Sequence, residues 1–139
     1  MNKKKVLFLI VGVFAFCLAF LGGCSLLSKD SGKVRDLDFT VVSEENLSDE
    51  LKNILDERKE APFKVTFNDK NYLYICIGYG EQKTGGYSIA VDNLYLTADS
   101  IRVSTSLLGP GPDDAGSTAV SYPYIVLKTE YLDTPVIFE

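Results

Sequence analysis

Histidine and tryptophan are absent from all 139 residues, methionine occurs once and cysteine three times. Without an imidazole the chain builds no Ser-His-Asp triad, no histidine acid–base pair and no ordinary zinc site. Carboxylates are plentiful, yet the adjacent pair Asp113 and Asp114 lies in GPGPDDAGS, which reads as a mobile loop. A glycosidase needs rigid, opposed carboxyls, and a calcium loop needs spaced acidic ligands closed by a glutamate; this stretch offers neither. The glycine-rich GYGEQKTGG joins two strand-like runs and precedes no helix, so the helix dipole and P-loop spacing of a phosphate cradle are missing. No cofactor, no metal and no catalytic residues are therefore expected, and the chain reads as a non-enzymatic interaction protein.

Charge and apolar residues are segregated at the N-terminus. Lys3, Lys4 and Lys5 precede an uncharged apolar run from Val6 to Leu21, and Gly22 and Gly23 lead to Cys24: a basic region, a hydrophobic region and a small-residue cleavage site. The tail LGGC resembles the bacterial lipobox, in which the peptide is cut before a cysteine diacylated on sulfur. That resemblance implies residues 1–23 as signal peptide, lipidation at Cys24, membrane lipid as the first partner, and a location outside the cytoplasm at the cell membrane. The alternative is an uncleaved anchor, since Val6 to Gly23 is at the short edge of the roughly 20 residues that span a bilayer. Two acyl chains hold a protein essentially permanently, at about 0.8 kcal/mol per buried methylene.

Removing the three lysines from 14 basic residues leaves 11 against 19 acidic ones, a net charge of −8. Nucleic acid and anionic headgroups are disfavoured as partners by that balance. With Cys17 lost and Cys24 lipidated, Cys76 stands alone in an apolar run, so no intramolecular disulfide is expected and the thiol reads as a small buried hydrophobe. Ser25 to Gly32 is a polar tether, with the lipidated N-terminus and tether together assigned to 24–36 and one β-rich domain to 37–139.

Within that domain, Leu37 to Val42 alternates as a first strand. Asn46 to Glu60 carries Leu47, Leu51, Ile54, Leu55 and Arg58 at helical spacing, with Asn46 or Ser48 as cap and Pro62 as stop. Its apolar stripe is expected on the sheet. Phe63, Val65 and Phe67 alternate, and Asn68-Asp69-Lys70-Asn71 is hairpin-turn chemistry leading into Tyr72 to Tyr79. Nearly every position from Tyr72 to Ile77 is apolar, β-branched or aromatic, as a central strand covered on both faces requires. From Tyr87 the alternation has period two, skipping at Asp92-Asn93 where a bulge is expected. This run is expected to pair antiparallel with Tyr72 to Tyr79. After a turn at Ala98-Asp99-Ser100, Ile101 to Leu107 and Tyr122 to Lys128 read as strands, and Val136 to Phe138 as a short edge strand. The fold class is α+β: a single domain with a twisted, mostly antiparallel sheet of five to seven strands and one amphipathic helix packed on it.

Gly78, Gly80, Gly85 and Gly86 punctuate the connection between the two runs, and Glu81, Gln82, Lys83 and Thr84 are presented at its tip. All eight tyrosines fall in the second half, and Tyr79 and Tyr87, flanking the turn, are expected to be exposed. The segment GEQKTGGYSIAV, followed by GPGP and SYPYIVLK, resembles the C-terminal domain of the PrcB protease-complex-subunit family over roughly Phe63 to Lys128, most specifically at Lys83 to Ile89. The resemblance implies an extracytoplasmic protein partner, a secreted or surface protease among them, that this chain assembles or stabilises. The candidate contact residues carried over are Thr84, Gly85, Gly86 and Tyr87, with Tyr122 and Pro123 downstream. The loops TGGY, GPGP and YPY are also loosely similar to the three-loop wedge of chagasin-type cysteine-protease inhibitors, although Tyr122 replaces an arginine and the spacing is shorter. A glycan or cell-wall binding module using exposed tyrosines is the third alternative.

Overall fold

Leu73, Ile75 and Ile77 on one side of a strand, and Cys76 on the other, are all buried, which is possible only in the middle layer of a three-layer domain. The computed structural model describes residues 32–112 and 118–139, and Lys33–Glu139 forms one compact unit. The signal, anchor and lipidation assignments up to Cys24, most of the Ser25 to Gly32 tether, and the Asp113-Asp114 loop lie outside the described residues. In chain order the elements are β1 (Lys33–Asp36), β2 (Phe39–Val41), a 3-10 turn (Glu44–Asn46), α1 (Asp49–Arg58), β3 (Pro62–Asn68), β4 (Tyr72–Tyr79), β5 (Ser88–Thr97), β6 (Ile101–Leu108), β7 (Tyr124–Glu130) and β8 (Val136–Phe138).

The α+β class stands, with more strands than expected, and they do not form one sheet. Among the described residues eight strands sort into two four-stranded sheets, ordered β1-β5-β6-β8 and β2-β7-β4-β3. Every pairing is antiparallel except β6 with β8. The sheets face one another over Leu37, Leu73, Ile75, Ile77, Leu94, Ile101, Val103, Ile125 and Leu127. On the far side of the second sheet, α1 lays Leu51 and Leu55, with the preceding Leu47, over Phe63, Cys76 and Val126. Ser48 caps α1, its hydroxyl accepting the Leu51 N–H at 3.2 Å, with Asp49 and Glu50 in the first turn.

Two expectations need correction. β4 does not pair with β5: its edges are taken by β3 and β7, while β5 lies between β1 and β6 in the other sheet. The reason is in the patterns themselves. β4 is apolar on both faces because one meets the opposing sheet and the other meets the helix, whereas β5 alternates because its sheet has one packed face. Residues Lys33–Asp36, assigned to the tether, form β1, bulged between Lys33 and Arg35 and paired with β5. The chain then changes sheet: Leu37 N–H donates to the Leu94 carbonyl at 3.0 Å, and two residues on, at Phe39, β2 begins to pair with β7.

Other local expectations hold. The β3–β4 turn is an Asx turn, with Asp69 Oδ1 accepting from Asn71 N–H at 2.9 Å and Tyr72 N–H at 2.7 Å. Those two bonds hold the Asp69 carboxyl below its ordinary range. The register shifts between Val91 and Asn93, the expected bulge. Its side chains are tied down across the hairpin, Asp92 accepting from Ser106 and Asn93 donating to Ser104 at 3.2 Å.

Burial pushes the Cys76 thiol up to about 12 from an ordinary 9.0. Burial also raises Tyr74 and Tyr124. A raised folded-state value means the folded chain holds protons more tightly than the unfolded one. This part of the stability is therefore complete below about pH 9 and declines as pH rises towards 12. Mass-mapped alkylation at pH 8 should modify Cys76 only in step with urea unfolding, and the urea midpoint should fall between pH 9 and 11. Modification of the native protein at the rate of a free thiol would contradict this.

Candidate interaction site

Residues Gly80–Tyr87 leave one sheet at the end of β4 and enter the other at the start of β5, crossing the open end of the sandwich. Gly80 and Gly86 have φ of +74° and +85°, where a side chain is strained, and neither has room for one. A Cβ on Gly80 would stand 2.8 Å from Pro62 Cδ, and one on Gly86 would stand 3.0 Å from Pro110 Cβ.

The loop is fastened along its length. Glu81 N–H donates to the Glu60 carbonyl at 3.1 Å, just beyond α1. Gln82 and Ser121 exchange two backbone bonds of 2.8 and 3.0 Å, an isolated bridge that continues the β4–β7 ladder past Tyr79, whose N–H donates to the Pro123 carbonyl at 3.0 Å. The Ser121 hydroxyl donates to the Thr84 carbonyl at 2.6 Å. Tyr87 lies beside Gly109, where an added Cβ would be 3.7 Å from its ring. Lys59 Nζ lies 5.8 Å from the centre of the Tyr122 ring. The three segments singled out in the sequence, TGGY, the start of GPGP and SYP, are thus neighbours at one end of the domain.

Of the candidate residues, Glu81, Lys83 and Gly86 are exposed, and Gln82, Thr84, Gly85, Tyr87, Tyr122 and Pro123 are half-buried. The expectation of exposed Tyr79 and Tyr87 is not met: both are half-buried. Tyr79 packs on the core between the sheets and its hydroxyl shares a 2.6 Å bond with Thr105 Oγ1 of β6. Its position before a turn says nothing of the second sheet that covers it. Ser121, Pro110 and Pro62 carry much of the loop's shape and were not among the candidate contact residues. Ser121 stands inside SYPYIVLK, and its short hydroxyl beside a proline was the available signal.

Chemically the end of the domain offers a stiffly held loop with exposed charged side chains and backbone polar groups, suited to recognition. Among the described residues no group of three or more cysteine, aspartate or glutamate side chains is disposed to hold a metal ion. Replacing Ser121 by alanine leaves the Thr84 carbonyl without its donor and should cost about 0.5–1.5 kcal/mol. The Gly85 and Gly86 amides should then exchange hydrogen faster while β4 amides keep their protection, as read by exchange mass spectrometry.

Fold and loop end together define a two-sheet β domain, backed by one helix, that presents loops. The family model described as PrcB C-terminal matches residues 73–130, so this part of the chain belongs to that family. The matched stretch contains β4, β5, β6 and β7, the two inner strands of each sheet, together with all three loop segments. β1, β2, α1, β3 and β8, which supply the outer strands and the helix, lie outside it. No curated protein and no solved structure gives a significant match.

Proposed function

We propose that the chain is a lipoprotein anchored outside the cytoplasm through an acylated Cys24, and that its β domain is an accessory subunit that assembles or stabilises a surface or secreted protease. The observation that carries this reading is the convergence of the TGGY, GPGP and SYP segments at one end, within a region that belongs to the PrcB C-terminal family. Glu81, Gln82, Lys83, Thr84, Gly85, Gly86, Tyr87, Tyr122 and Pro123 form the proposed contact. An anchored domain with a pinned loop meets its partner at low entropic cost, because little remains to be ordered on binding.

The test combines two measurements. Metabolic lipid labelling of wild type, with Cys24→Ala as control, reads the anchor; an unlabelled wild-type protein removes it. Photo-crosslinking from Lys83 in native membranes should trap an extracytoplasmic protein, and Thr84→Ala with Tyr87→Ala should reduce its capture and shorten the protease's half-life. Unchanged capture and half-life in a stably folded variant would take the loop end out of the contact. The same convergence of loops supports inhibition as a second reading, and a turnover assay separates them: an inhibitor lowers the rate of a purified protease, whereas an assembly subunit changes its yield or lifetime.

A further inference from the structure

We propose that residues 59–62, where α1 runs into β3, are a positioning element for the loop end, so that docking of α1 and the shape of the Gly80–Tyr87 loop are coupled. The effect on a partner rests on the function proposed above; the coupling does not. Two separate parts of the loop end touch this one short segment. On the β4 side, Glu81 N–H donates to the Glu60 carbonyl at 3.1 Å. Gly80 lies against the Ala61–Pro62 peptide, so closely that an added Cβ would be 3.0 Å from Pro62 N and 3.2 Å from the Ala61 carbonyl carbon. On the β7 side, the Lys59 ammonium is 5.8 Å from the Tyr122 ring centre, within range of cation–π attraction. Tyr122 follows Ser121, which holds Gln82 and the Thr84 carbonyl.

Little slack separates this segment from the helix. Lys59 N–H donates to the Leu55 carbonyl at 2.9 Å as the closing bond of α1, and Ala61 N–H donates back to the Arg58 carbonyl at 3.3 Å. Pro62, with its fixed φ, is the first residue of β3 and stands opposite Tyr79. Leu55, in the last turn of α1, is 2% exposed and packs in one cluster with Phe63, Cys76 and Val126. The Glu60 carbonyl therefore stands where the docked helix puts it. A lifted last turn carries that acceptor away from Glu81 and the Lys59 ammonium away from Tyr122.

The far half of the loop is held from elsewhere. Gly86 abuts Pro110 and Tyr87 lies beside Gly109, both on the connection that leaves β6. Displacing the end of α1 should thus loosen Gly80, Glu81 and Tyr122 while the Gly86–Tyr87 half stays in place. Coupling of this kind is reciprocal in free energy, so a disturbance at Gly80 returns to the end of the helix. The positioning segment lies outside the residues that match the family model, whereas Gly80, Glu81 and Tyr122 lie inside them.

The full chain, isotope-labelled and held in detergent micelles, is compared with single-residue variants by amide hydrogen exchange. Glu57→Pro breaks the last turn of α1 from its exposed face. The Glu81 amide should then exchange about tenfold faster, the fold-change of one lost hydrogen bond, while β5 and β6 amides keep their protection. Gly80→Ala pushes from the loop side and should speed exchange at the Lys59 and Ala61 amides, also by about tenfold. Gly86→Ala strains the same loop against Pro110 and should leave those two amides unchanged. Lys59→Ala should shift the Tyr122 ring resonances and Lys59→Arg should restore them, since a guanidinium keeps a cation at the ring. An unmoved Glu81 amide in folded Glu57→Pro, or equal responses of Lys59 and Ala61 to the two glycine changes, overturns the proposal. Photo-crosslinking from Lys83 in native membranes reads the consequence, and Glu57→Pro should cut capture by about tenfold. Full capture by that variant despite faster Glu81 exchange overturns the positioning role. A wild type that captures nothing strikes the function proposed above, and the exchange results still decide the coupling.

Discussion

Leu51→Ala is expected to lower folding stability by about 2–5 kcal/mol, the range for truncating a fully buried leucine. Leu51 is 1% exposed and sits with Leu55 and Leu47 on Phe63, Cys76 and Val126. The loss has two parts, the removed apolar atoms and the cavity between helix and sheet that a capped helix cannot close by tilting. Urea titration should show a lower midpoint with unchanged slope, because the surface exposed on unfolding stays nearly the same. Asn53→Ala on the exposed face of the same helix is the control and should move stability by no more than about 0.5 kcal/mol. Equal effects of the two changes would mean that α1 is not docked.

Gly78→Ala is the second large effect, and it acts by excess volume. Gly78 and Phe63 are cross-strand partners on β4 and β3, and the Phe63 ring lies over the glycine. An added Cβ would stand 2.1 Å from Phe63 Cε1, 2.5 Å from Cδ1 and 2.7 Å from Cζ. The ring cannot swing away freely because it is itself buried in the core beneath α1. Overpacking of this kind costs about 1–3 kcal/mol and sometimes more. Combining it with Phe63→Leu should recover part of the loss. Thermal denaturation of the four proteins of the cycle measures the coupling, and strictly additive losses would show that the two residues do not meet.

How far the fold could be read in advance depended on whether the controlling contacts were local. The cap at Ser48, the Asx turn at Asp69 and the bulge beside Asp92 depend on residues within a few positions of one another, and all stand where expected. The two-sided burial of β4 was also legible, since both faces leave an apolar mark on the strand itself. Which strands share a sheet was not, because alternation says that a face is covered and not by what. A glycine-rich connection between two strands has the same composition whether it closes a hairpin or crosses between sheets. Lys33–Asp36 was hidden for a different reason: four exposed residues with three charges have the composition of a tether, and only their pairing with β5 makes them a strand. At the candidate site the loop residues were legible from their turn chemistry, whereas the fastening by Ser121 and Pro110 depends on partners 37 and 24 positions away from Thr84 and Gly86.

Because the Gly80–Tyr87 segment spans from one sheet to the other, a pull exerted on its tip is shared between β4 and β5. At the β4 end the Gln82–Ser121 bridge brings in β7 as well. A hairpin tip would be peeled open one hydrogen bond at a time under the same force. Here the strands must slide past their neighbours, breaking many bonds at once, so a force applied at this tip meets mechanical resistance from both halves of the sandwich.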